Sequence, residues 1–102
     1  MYLVQILLPL YDNQGRRLPR ELFERTSRTL AKAHGGITAY TRSPAVGLWN
    51  RRGSHLRRDD IVVYEVMTAG LNATLWARRR RAWEISFRQE SIVIRAARCR
   101  RL

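Results

Sequence analysis

The sequence predicts an α+β fold in the order β-α-β-β-α-β, and three features carry that expectation. Four short runs rich in β-formers are spread along the 102 residues. Two stretches with apolar residues at helical spacing fall between the first and second runs and between the third and fourth. Pro, Gly and turn-prone polar residues separate these segments. The length fits one domain, 1–102, with a basic tail from about residue 97. At this size folding removes only about 60 to 70% of the unfolded surface from water, so the core is thin. An apolar share of 45%, recurring in patterned blocks, is that of a globular chain.

Tyr2 to Leu8 reads as a buried strand, ended by Pro9 and the turn residues Asp12-Asn13-Gln14-Gly15. Pro19 supplies a fixed φ at a first helical position. Glu21 and Glu24 lie near the positive end of that helix, Lys32 and His34 near the other, and Gly35-Gly36 stops it. Leu22, Phe23, Thr26, Leu30 and Ala33 share its core face. Ile37 to Arg42 reads as the second strand, which Ser43-Pro44 ends or bends before the segment Ala45 to Trp49. Asn50 to Asp60 is a polar, Arg-rich connection. Ile61 to Met67 is the third strand, apolar except for Glu65. Leu75, Trp76, Trp83 and Phe87 then recur at helical spacing, and Ser91 to Ala96 is the last strand.

Two right-handed split β-α-β units give a ferredoxin-like fold, with one antiparallel sheet in the order fourth, first, third, second and both helices on one face. Side-chain parity sorts the two faces. With Glu65 pointing away from the helices, Val62, Tyr64 and Val66 point toward them, joined by Val4, Ile6, Leu8, Ile92 and Ile94. The opposite face collects Leu3, Gln5, Leu7, Tyr40, Val63, Glu65, Met67, Val93 and Arg95. That surface is too apolar to be left in water. The expected cover is the same face of a second copy, closing a barrel-like homodimer.

The formal charge is +12, and Lys32 is the sole lysine among 20 basic residues. Such an Arg bias follows either from selection for anion-binding forks or from a GC-rich genome. Arg51, Arg52, Arg57 and Arg58 cluster in one loop, Arg78 to Arg81 on one helix, and Arg98, Arg100 and Arg101 in the tail. Weak, sequence-independent nucleic-acid binding is the expectation, with Arg51, Arg52, Arg57, Arg58, Arg78 and Arg81 as candidate contacts. Four consecutive residues at about 100° each surround a helix, so Arg78 to Arg81 cannot form one stripe. Arg79 and Arg80 flank the aromatic face, and Arg80 and Arg88 each stand four residues from Glu84. The positions at which an RNA-recognition sheet carries stacking aromatics hold Leu3, Gln5, Leu7, Val63, Glu65 and Met67 instead, which argues against that module.

No segment reaches the roughly 18 apolar residues of a membrane span, and the N-terminal run lacks the basic start of a secretory signal. Cys99 has no second cysteine to pair with. The expected address is the cytoplasm, without a membrane partner. Nothing in the spacing of His34 and His55 makes a metal site, and no cofactor motif is present. His34 reads as a helix-end residue on the last carbonyls.

The polar exceptions on the open face carry the remaining chemistry. Gln5, Glu65 and Arg95 sit on three adjacent strands. If the face is covered, Glu65 and Arg95 form a structural pair, because stranding either charge costs several kcal/mol. Alternatively they form the floor of a pocket with Gln5, Tyr40 and Trp49. There Arg95 would hold an acidic or carbonyl ligand and Glu65 would act as a base, as in a small cofactorless enzyme.

The segments Gly35 to Pro44, Gly47-Leu48-Trp49 and Asp60 to Met67 together resemble a group of short bacterial proteins. The resemblance implies a ferredoxin-like, dimeric domain without an assigned activity. This chain is richer in Arg than that group, notably at Arg78 to Arg81. The combined expectation is a homodimeric binding or accessory module with a cleft near the sheet face.

Overall fold

The computed structural model describes residues 1–42 and 61–102, with the backbone alone for 40–42. Trp49, His55, Arg51, Arg52, Arg57 and Arg58, and the expectations placed on them, lie outside the described residues. The elements are β1 (Tyr2–Pro9), α1 (Arg20–His34), β2 (Thr38–Arg42), β3 (Ile61–Thr68), α2 (Ala73–Ser86) and β4 (Val93–Arg98). They form an α+β fold whose sheet runs β2-β3-β1-β4, every neighbouring pair antiparallel. Read from the opposite edge, this is the strand order expected from the sequence.

Alternate residues of β1, namely Val4, Ile6 and Leu8, are fully buried. They join Tyr64 and Val66 of β3, Leu22 and Leu30 of α1, and Trp76 of α2 in one cluster, so both helices cover the same sheet face. Phe87 and Ile92 complete that cluster, with Val62 and Ile94 packed against it. Its centre is tied across elements. The Phe23 and Phe87 rings meet edge to face with centroids 5.2 Å apart, and the Tyr64 hydroxyl donates to the Phe23 carbonyl at 2.9 Å.

Both helices are set by their ends. Pro19 is the N-cap of α1 instead of its first helical residue, because its ψ of 140° is extended. It offers no side-chain cap. Glu21 in the first turn and Lys32 and His34 in the last suit the helix dipole. Gly35 closes the helix with φ 78°, a left-handed conformation that strains other residues, and its N–H donates to the Ala31 carbonyl at 2.8 Å. Leu22, Thr26 and Leu30 form the buried face, and the Thr26 hydroxyl is satisfied by the Leu22 carbonyl at 2.8 Å. Ala33, expected on that face, is exposed in the last turn, beyond the buried cluster. In α2 the Asn72 side chain accepts from the Leu75 N–H at 3.0 Å, an N-cap that defines where the helix starts.

The last strand begins two residues later than its β-type run. Ile92 fills the core from just outside the strand, and its N–H donates to Glu84 Oε2 at 3.0 Å. Residue 92 is thereby tied to α2 before β4 pairs with β1. At the other end Ala97 and Arg98 still pair with Leu3 and Tyr2, and the Cys99 N–H donates to the Met1 carbonyl at 3.0 Å. The basic tail beyond this last bond is therefore Arg100, Arg101 and Leu102, shorter than a start near 97 implies.

Candidate functional site on the open sheet face

Antiparallel register lines up the face away from the helices in three cross-strand rows. One row is Tyr40, Val63, Leu7 and Val93; the next is Thr38, Glu65, Gln5 and Arg95; the last is Met67, Leu3 and Ala97. An apolar row thus lies on either side of a polar one. Met67 and Val93 are 48% and 51% exposed. Val63 is only 1% exposed, although it stands on the open face and outside the core cluster.

Glu65 and Arg95 do not form the direct pair expected of them. Ion pairs among the described residues join Arg16 and Arg88 to Asp12, Arg20 to Glu24 and Arg80 to Glu84, and none joins Glu65 to Arg95. The reason is the strand order, which puts β1 between them, each step across the sheet being about 4.8 Å. Gln5 on β1 fills the gap. Arg95 Nε–H donates to Gln5 Oε1 at 2.7 Å, and Gln5 Nε2–H donates to Glu65 Oε2 at 2.5 Å. A primary amide satisfies a cation on one side and an anion on the other in only this orientation. The result is a relay with its negative end on β3 and its positive end on β4.

Glu65 and Arg95 also line different cavities. Glu65 lines an open cleft of about 310 Å³ at the end of α1, with Leu3, His34, Thr38, Met67 and Arg101. Arg95 lines a groove of about 400 Å³ between α2 and β4, with Leu71, Trp76 and Ile94. A shared floor for a Glu65 base and an Arg95 clamp is therefore not what these two cavities provide. Of the other residues assigned to that pocket, Tyr40 contributes its backbone position opposite Val63.

His34 turns away from the α1 carbonyls toward α2. Its ring stacks on Trp76 with centroids 5.4 Å apart and planes 12° apart. Arg79 lies over the same indole, 4.6 Å from its centroid, and Arg79 Nη1 is 2.9 Å from His34 Nε2. A guanidinium can only donate, so Nε2 accepts and the ring proton is on Nδ1. Burial, and then the Arg79 charge, push the His34 pKa down.

The remaining basic residues divide by contact. Arg78 and Arg81 are exposed, and Arg80 pairs with Glu84 at 3.1 Å. Arg88 does not reach Glu84. It lies beyond the Phe87 cap with φ 52°, off the helix, and pairs with Asp12 at 3.7 Å. Asp12 is an anchor that the turn pattern alone did not reveal. It is buried and accepts from the Gln14 and Arg16 N–H groups, each at 2.9 Å. The other residues missed in the sequence, Thr38 and Arg101 in the Glu65 cleft, come from the second strand and the tail, which no local pattern connects.

Among the described residues no three His, Cys, Asp or Glu side chains are grouped to hold a metal ion, and no helix is long and apolar enough to cross a membrane. No protein-family model, curated protein or solved structure matches this chain.

Proposed function

We propose that the chain is a ferredoxin-like domain that works as a homodimeric binding or accessory module. In this reading the open sheet face receives a second copy, and the cleft beside Glu65 receives a small ligand. The observation that carries it is the pair of apolar rows, with Met67 and Val93 about half exposed on either side of the polar row. Apolar side chains gathered on one face lose contact with water when a like face covers them. The cleft has apolar walls from Leu3 and Met67, with Glu65 and Arg101 offering one charge of each sign. It supports binding more directly than catalysis, since Glu65, the carboxylate that lines it among the described residues, is already engaged by Gln5.

Met67→Arg and Val93→Arg test the docking face, because both residues are exposed and neither substitution disturbs the core. Val63→Arg is the weaker choice, since Val63 is already buried within the chain. In sedimentation at tens of micromolar, in high salt after nuclease treatment, the unmutated protein should be a dimer and both variants should be folded monomers. A monomeric unmutated protein would remove the proposal. A thermal-shift screen on the same preparation then tests the cleft.

A further inference from the structure

Two copies of a sheet that stack face to face are related by a two-fold axis lying in the plane between them. The apolar rows do not choose the direction of that axis, but the polar row does. Along Glu65, Gln5 and Arg95 the charge runs from negative through neutral to positive. An axis lying across the strands lays the row on its own copy in the same order, setting like charge against like. An axis lying along β1 reverses the row, so each end meets its opposite.

Resting on the dimer reading above, we infer that the second copy docks with its two-fold axis along β1, above Gln5. Glu65 then faces Arg95 of the partner subunit, and Arg95 faces the partner's Glu65. The two amide relays become parts of one closed ring of alternating charge across the interface. Among the described residues each charge is held by a hydrogen bond to Gln5; the partner supplies the opposite charge that burial of the face requires.

Side-chain size on the other rows is compatible with this axis but does not select it. Reversal of the third row lays the protruding Met67 over the partner's Ala97, large on small. Reversal of the first row lays the half-exposed Val93 over the partner's Val63, which is itself 1% exposed. An axis across the strands on the polar row would exchange these two rows, setting Met67 over Val63 and Val93 over Ala97, which matches size equally well, so the charge order alone selects the axis. Either axis keeps the stacked strands within the angle of about 30° usual for aligned sheets.

Charge reversal tests the axis. Glu65→Arg puts arginine against arginine at both contacts, and Arg95→Glu puts glutamate against glutamate. Each variant alone should dimerise at least about tenfold more weakly in sedimentation equilibrium, since opposed like charges are strongly unfavourable at an interface. Mixed in equal amounts, the two should form a heterodimer close to the strength of the unmutated dimer, because both contacts then pair opposite charges. Rescue by mixing also shows that each variant is folded. Dimers that keep their strength in both single variants, or variants that stay apart when mixed, would overturn this axis and leave the dimer reading standing. An unmutated chain that remains monomeric, or that only retains nucleic acid, would overturn both.

Discussion

His34 is held in its neutral form between an indole face and a guanidinium, and that environment has a measurable pH signature. Burial and the Arg79 charge both disfavour the imidazolium, so the folded protein takes up this proton at a lower pH than the unfolded chain does. The stability that results is complete above about pH 6.5, the ordinary imidazole value, and is lost as the pH falls from there through the lowered folded value. Asp12 and Glu84 act in the same sense lower on the scale. Backbone N–H groups, of Arg16 and Ile92 respectively, are the first cause holding their carboxyls below the usual range. Their contribution is present above about pH 4 and fades below it. The melting temperature should thus decline in two stages on acidification. His34→Gln, which can still accept from Arg79, should abolish the upper stage, which sets in below about pH 6.5, and leave the lower one; an unchanged profile would show that His34 does not titrate as its surroundings imply. Thr68 supplies a separate check, since its hydroxyl is buried without a hydrogen-bond partner among the described residues. Thr68→Val should be neutral or stabilising by up to about 1 kcal/mol in urea denaturation.

At the scale of elements, the helix ends carry stability that hydrophobic pattern does not describe. Asn72→Ala removes the bond that starts α2 and should cost about 1 kcal/mol, read as a lower urea midpoint at unchanged slope. The alternation of β1 and β3 and the spacing of Leu22, Thr26 and Leu30 were enough to place strands, helices and the two sheet faces, because burial on one side imposes a period on the residues themselves. The strand ends were not so legible. Ser91 and Ile92 look like β4, yet the Glu84 carboxylate holds the Ile92 N–H, and that partner comes from another element. The same limit governs the site. Parity put Gln5, Glu65 and Arg95 on one face, but it could not show that Gln5 stands between the two charges as a bridge. Nor could it show that His34 leaves its own helix end for Trp76, since side-chain reach between elements leaves no local periodicity.

For the whole molecule, the two sheet faces do different physical work. On the helix-covered face the Tyr64 and Thr26 hydroxyls find backbone carbonyls, and Thr68 is the buried hydroxyl left without a partner among the described residues. The other face is ordered by its own relay but keeps apolar side chains in water, and it is there that the Met67→Arg and Val93→Arg variants should separate assembly from folding. Destabilisation of the monomer by either substitution should be small, within about 0.5 kcal/mol, as for surface positions generally. A variant that unfolds would instead place that residue in the monomer's own packing.

The bond between the Cys99 N–H and the Met1 carbonyl brings the first and last strands to a common end, and Met1 and Arg101 both line the cleft that holds Glu65. A purification tag or fusion partner attached at either end would emerge at the mouth of that cleft. Its residues could fill the space or neutralise Glu65, and a ligand screen on tagged protein would then report the tag. Cleaved protein is the form in which the cleft should be assayed. The same closeness lets a short linker join the two ends without stretching the sheet, so the chain can be reopened elsewhere and the cleft kept clear of both ends.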